Sequence, residues 1–113
     1  MSLIGCTEIR PKPDEWRNDN YEVVYNSKTG ESRLYYTSPK SGHKSEVLDF
    51  RLEKLGVNET HIKIACSDYN SIYYFHIKKQ NGALGDLSPA LTGDELEEAE
   101  KSLALPEFTW RTK

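Results

Sequence analysis

The stretch that most constrains the fold is residues 21–38, in which two β-prone runs flank a short polar linker. Residues 21–25 and 33–37 are rich in tyrosine and aliphatic side chains, and residues 28–31 between them include Gly30. Aromatic and β-branched residues favour strands, and a glycine in a short polar linker favours a tight turn. The stretch therefore predicts a hairpin of two antiparallel strands.

Side-chain alternation along this hairpin divides its tyrosines between two faces. Tyr21 and Tyr36 fall on one face, and Tyr35 falls on the other. One face is expected to belong to the core and the other to be exposed. An exposed tyrosine offers a large contact area at a low cost in conformational entropy, so Tyr35 and the later Tyr73 are candidates for partner binding.

Further strand signals follow the hairpin. Residues 60–66 alternate apolar and polar side chains, which predicts a strand with one buried face. Residues 72–78 carry apolar or aromatic side chains on both faces, which predicts a central strand covered on both sides. Residues 45–55 fit either a strand or a helix. The strand is favoured because it places Phe50 with its apolar neighbours, whereas the helix does not.

A C-terminal helix is predicted over residues 92–105. Thr92 and Glu95 fit a capping box, in which the threonine hydroxyl accepts a hydrogen bond from the N3 amide and the glutamate reaches back to the N-cap amide. The apolar stripe of the helix includes Leu96 and Leu103. Its remaining surface is acidic and carries Asp94, Glu95, Glu97, Glu98 and Glu100.

These elements predict an α+β fold in a single domain over residues 1–113: one antiparallel sheet of four to six strands with the C-terminal helix packed on a face. A chain of 113 residues fits one domain. Residues 1–20 are expected to be an irregular lead-in, residues 21–78 the sheet and residues 92–105 the helix.

Composition and residue spacing argue against several classes of function. The net charge of −3 is unlike that of domains that bind nucleic acid by neutralising phosphates. No apolar run approaches the length of a membrane span. Cys6 and Cys66 form neither a disulfide framework nor a metal motif, and no cofactor is expected. Cys66 and His76 fall on strands that can pair, and we interpret them as packing residues. We therefore expect no enzymatic activity.

The localisation expected from the sequence is cytoplasmic, because two widely spaced thiols fit a reducing compartment. The alternative comes from residues 3–6, Leu-Ile-Gly-Cys, which resemble the signal-peptidase site of bacterial lipoproteins. That resemblance implies a lipid anchor on Cys6 and a place at the cell envelope. The apolar segment that would precede such a site is absent before residue 3, which favours the cytoplasmic expectation.

Residues 33–48 resemble part of a methyl-CpG-binding-type domain, which shows a Tyr-Tyr-x-Ser-Pro-x-Gly-Lys run followed by a serine and a helix. This chain has an extra residue before Gly42, and His43 where that family usually has a lysine or arginine. The resemblance implies a nucleic-acid-binding module on the basic loop 38–44 and a helix over residues 45–55. The residues that it places against DNA are Tyr36, Lys40 and Lys44.

The size, the charge sign and the β-plus-helix composition are similar to those of small bacterial inhibitor and immunity-type proteins. That resemblance implies a non-catalytic protein that docks a basic partner, such as a toxin or a nucleic-acid-processing enzyme, through an acidic helix and an aromatic strand face. Exposed edge strands also allow a dimer. The predicted partner-binding residues are Asp94, Glu95, Glu97, Glu98, Glu100, Tyr35 and Tyr73.

Overall fold

The computed structural model describes residues 16–111, which form nine strands and one helix. The helix, α1 (Gly93–Leu103), lies between the last two strands in the chain. The strands are β1 (Trp16–Asn18), β2 (Tyr21–Asn26), β3 (Glu31–Thr37), β4 (Lys44–Glu46), β5 (Arg51–Val57), β6 (His61–Asp68), β7 (Ser71–Gln80), β8 (Ala83–Leu87) and β9 (Trp110–Arg111).

The strands form two antiparallel sheets, so the prediction of a single sheet is wrong. The first sheet has the order β1-β2-β3-β4, and the second has the order β8-β7-β6-β5-β9. Each sheet has one strongly apolar face, and a single helix could cover only part of one such face. Stacking the two sheets buries both apolar faces at once, which one open sheet with a single helix cannot do.

The predicted hairpin is confirmed as β2 and β3, which pair in register from Tyr21 opposite Tyr36 to Asn26 opposite Glu31. Its turn closes where the Gly30 amide donates to the Asn26 carbonyl at 2.8 Å. Gly30 has a φ of 75°, a backbone conformation that residues with a side chain rarely adopt. The hairpin is therefore specified by local turn chemistry as well as by strand propensity.

The core lies between the two sheets. From the first sheet Tyr21 and Tyr36 point inward, and their ring centroids are 4.9 Å apart. The Tyr21 hydroxyl also accepts a hydrogen bond from the Gly85 amide at 2.9 Å, which ties β2 to β8 of the second sheet. The fully buried aliphatic side chains of this core are Leu34, Leu52, Leu55, Ile62, Ile64 and Ile77.

Helix α1 packs on the face of the second sheet that points away from the first. Ile62 and Ile64 of β6 enter the core between the sheets, so Lys63 between them points to the opposite face. There its ammonium lies 2.6 Å from a Glu100 carboxylate oxygen of α1. The capping box predicted at Thr92 is confirmed: its hydroxyl accepts from the Glu95 amide, and the Glu95 carboxylate accepts from the Thr92 amide.

Three local predictions need correction. Residues 16–18, predicted to belong to an irregular lead-in, form β1 and pair with β2, while residues 1–15 of that lead-in lie outside the described residues. Residues 45–55 are not one strand, because β4 ends at Glu46 and β5 begins at Arg51. Residues 72–78 of β7 lie between β6 and β8, as a central strand should, but Ile72 and Lys78 are exposed, and the strand covered on both faces is β6.

Candidate functional site

The acidic surface predicted on the helix is present on one side of α1. Asp94, Glu97 and Glu98 are exposed, and their spacing of three and four residues places them on one helix face. Within the described part of the chain none of the three forms a salt bridge. We call these three residues the acidic face. Its charge is concentrated near the helix N-terminus, where the helix dipole favours carboxylates.

The other two predicted helix acids contribute to the fold. Glu95 caps the helix, as its carboxylate accepts the Thr92 amide at 2.8 Å. Glu100 points toward the second sheet and pairs with Lys63. Both carboxylates hold the helix in place, so the acidic face is narrower than the five acidic residues of the sequence suggest.

Tyr35 lies on the outer face of the first sheet, half-buried among charged side chains. Its cross-strand neighbours are Glu22 on β2 and Glu46 on β4. The Tyr35 hydroxyl donates to a Glu46 carboxylate oxygen at 3.3 Å. The Tyr35 side chain is thus partly exposed, within a polar surface.

Ion pairs cover the rest of this outer face. Arg33 lies 2.9 Å from a Glu31 carboxylate oxygen, 2.8 Å from Asp49 and 3.6 Å from Glu46. Hydrogen bonds, first to Glu31 and then to Asp49, raise the pKa of Arg33. Beside this group, an open cleft of about 610 Å³ runs along the hairpin, with Tyr35 among its lining residues. Charges of both signs therefore share this face, and Arg17, Arg33 and Lys44 each pair with at least one carboxylate.

Tyr73 does not share a surface with Tyr35. It lies on β7 of the second sheet, where its ring packs against Phe50 with centroids 5.3 Å apart. It is partly buried against the core between the sheets. The structure therefore brings neither tyrosine next to the acidic face, because α1 covers the opposite side of the second sheet.

The basic loop 38–44 is exposed at Lys40 and His43. Lys44, at its end, pairs with Glu22 at 3.1 Å, and this hydrogen bond is the main reason why the pKa of Glu22 is lowered. The helix that the methyl-CpG-type resemblance implies over residues 45–55 is absent, since β4 and β5 occupy most of that range.

A cluster of polar side chains on the face of the second sheet that α1 covers was not predicted. His61 and His76 lie on adjacent strands with ring centroids 6.1 Å apart. Burial lowers the pKa of both imidazoles, and the charge of Lys78 lowers the pKa of His61 further. Buried Lys63 lies in the same row on β6, with Phe108 under its ammonium at 4.2 Å. The signal available in the sequence was the alternation of residues 60–66, which predicts that His61 and Lys63 share the face opposite Ile62 and Ile64.

Cys66 and His76 do not form a dyad. Cys66 points into the core between the sheets, whereas His76 lies opposite Lys63 on the other face of the second sheet. Burial raises the pKa of the Cys66 thiol to about 12, so the thiolate needed for nucleophilic attack is scarce at neutral pH. Cys6, the predicted lipid-anchor residue, lies outside the described residues.

Among residues 16–111, no group of three or more metal-ligating side chains is placed to hold an ion. In the same part of the chain, α1 is too short and too polar to cross a bilayer. No family model, no curated protein and no solved structure matches this chain.

Proposed function

We propose that this chain is a non-catalytic protein-binding domain that docks a basic partner protein through the acidic face of α1. The observation that carries the proposal is the exposure of Asp94, Glu97 and Glu98 on one side of a well-capped helix. A rigid helix holds the three carboxylates in a fixed spacing, so a complementary row of lysines or arginines binds with little loss of conformational entropy.

Electrostatic attraction of this kind acts mainly on the association rate. A surface that concentrates one sign of charge steers an oppositely charged partner and raises its encounter rate roughly tenfold or more at low salt. Lys101 in the last turn of α1 limits the extent of the acidic face toward its C-terminal end. The partner is therefore expected to contact the first two turns of the helix.

The remaining predicted residues have separate places in this proposal. Glu95 and Glu100 orient the helix through the capping box and the pair with Lys63. Tyr35 lies on the far side of the molecule and belongs to a different surface, so we assign it no contact with the same partner. Tyr73 supports the core through Phe50.

The test begins with affinity capture from the source cell and identification of the captured protein, followed by binding kinetics with that protein in purified form. A variant with Asp94→Asn, Glu97→Gln and Glu98→Gln is expected to lower the association rate roughly tenfold or more at low salt, and the loss should shrink as salt screens the charges.

The matched control removes the same number of carboxylates elsewhere, with Glu59→Gln, Asp68→Asn and Asp86→Asn, all at exposed positions. The control is expected to bind as the wild type does. Equal losses in both variants would show that net charge, not the acidic face, governs binding. Salt-sensitive binding to nucleic acid with no protein captured would contradict the proposal and favour the loop 38–44.

A further inference from the structure

Within the described residues 16–111, the edge of the first sheet at β4 leaves main-chain groups unpaired. The Val47 amide donates to the Leu34 carbonyl at 2.8 Å, and the Ser38 amide donates to the His43 carbonyl at 2.9 Å. In an antiparallel ladder such groups alternate, so Ser45 also points toward β3. The amides and carbonyls of Lys44 and Glu46 therefore point away from the sheet. All three residues of β4 are exposed.

The other edges differ. At β8, the outward Gly85 amide is already bound by the Tyr21 hydroxyl at 2.9 Å. At β1 and β9, the chain continues directly into residues outside the described range. Within residues 16–111, β4 is thus an edge with described chain on both sides and with no hydrogen bond to its outward groups, whereas β8 has one at Gly85.

The sequence of this edge is self-complementary. When two copies of Lys44-Ser45-Glu46 pair antiparallel around Ser45, each lysine lies opposite the glutamate of the other copy. We propose that the chain forms a symmetric dimer in which β4 pairs with β4 of a second copy and joins two four-stranded sheets into one of eight strands. Two-fold symmetry makes such an interface isologous.

The charges on the outer face extend this argument. Alternation places the side chains of Lys44 and Glu46 on that face, where they contact Glu22 at 3.1 Å and Arg33 at 3.6 Å. In the dimer, Lys44 of one copy lies between its own Glu22 and Glu46 of the second copy. Cations and carboxylates therefore alternate without interruption across the joint, and opposite charges in facing positions stabilise strand pairing.

A second copy suits this edge better than an unrelated strand. Short edge strands that carry charged residues normally resist strand addition, because an arbitrary partner leaves those charges unmatched. Antiparallel self-pairing around Ser45 is the register that matches both. The dimer leaves α1 free, since the helix covers the far side of the other sheet, so the inference does not depend on the proposed function.

Charge-reversed variants test this pairing. Lys44→Glu gives an edge with two glutamates, and Glu46→Lys gives an edge with two lysines. Each variant alone is expected to be a monomer, whereas an equimolar mixture is expected to form a heterodimer, because each glutamate then faces a lysine. Sedimentation equilibrium from about 10 µM to about 1 mM covers the range in which a small interface is half-occupied. Circular dichroism and thermal melts establish that each variant is folded.

Three results would overturn the proposal: a monomeric wild type throughout this range, unchanged dimerisation in either single variant, or two folded variants that do not associate on mixing. Lys44→Pro provides a second test, which can be used even if the charge variants do not fold. It removes one outward amide and keeps the ladder to β3, so it should abolish the dimer. Asp86→Lys, on the edge strand β8, is the control and should dimerise as the wild type does.

Discussion

The buried pair of Lys63 and Glu100 gives the sharpest test of how α1 is held on the second sheet. The Lys63 side chain is 6% exposed, its ammonium is 2.6 Å from the Glu100 carboxylate, and the ring of Phe108 lies 4.2 Å away. Replacing Glu100 by glutamine keeps the shape and removes the charge. Lys63 then remains in a poorly hydrated place without a carboxylate, which is unfavourable for the charged ammonium.

The two single substitutions should differ in cost. Removing one partner of a fully buried pair costs about 3 to 5 kcal/mol, and the 34% exposure of Glu100 lets water replace part of the interaction. We therefore expect Glu100→Gln to lower the free energy of unfolding by about 2 to 3 kcal/mol. Lys63→Met should cost under about 1 kcal/mol, because methionine fills the site and Glu100 can turn to solvent.

Urea denaturation of the two single variants and of the double variant measures this asymmetry. Glu100→Gln should lower the unfolding midpoint by roughly 1 to 2 M urea, and adding Lys63→Met should restore most of the loss. Glu97→Gln, an exposed change on the same helix, is the control and should stay within about 0.5 kcal/mol of the wild type. Equal and additive losses from Lys63→Met and Glu100→Gln would refute the argument.

Two further predictions concern the pH dependence of stability and the packing of β5. The pKa values of His61 and His76 are lowered in the folded state, so the unfolded chain binds protons first as the pH falls. The free energy of unfolding should therefore fall as the pH drops below about 6.5 and through the folded-state pKa values. Substituting both histidines by glutamine should flatten that slope in urea denaturation measured at several pH values. Gly56→Ala should destabilise the fold by about 2 kcal/mol or more, because the added carbon meets the Glu107 carbonyl. Gly30→Ala should cost about 1 kcal/mol, because only its positive φ opposes a side chain. Thermal melts that show equal losses for the two variants would contradict this difference.

Features governed by local chemistry were predictable from the sequence. The β2–β3 hairpin follows from strand propensity and from Gly30, and the start of α1 follows from Thr92 and Glu95. Each of these signals involves residues within a few positions of one another, and each stabilises the same structure wherever the segment sits in the fold. The sequence also separated Tyr35 from Tyr21 and Tyr36, because alternation along a strand is a local rule.

The division into two sheets was not predictable in the same way. The alternation of apolar residues through Leu48, Phe50 and Leu52 predicts one strand, yet the chain bends between β4 and β5 to cross from one sheet to the other. Leu48 is buried in the structure, and it would also be buried in one continuous strand. Its apolar character therefore does not distinguish a strand from a segment that crosses between the sheets. The choice depends on which faces are available to pack together, and that is settled by the whole chain.

The extent of the acidic face follows from two sequence patterns taken together, the helical spacing around Glu100 and the strand alternation around Lys63. Glu100 follows Leu96 by four residues and precedes Leu103 by three, so it lies within the apolar stripe of the helix. A carboxylate in that position loses part of its hydration, and a cation that pairs with it offsets this loss. Lys63 is in a comparable position on β6. It alternates with Ile62 and Ile64, and it lies on the face of that strand that α1 covers. Each residue alone fits a solvated surface, but the ammonium of Lys63 is buried in the fold and needs an opposite charge from another element, which Glu100 provides. That requirement removes Glu100 from the binding surface and leaves Asp94, Glu97 and Glu98 as the carboxylates that the fold does not use.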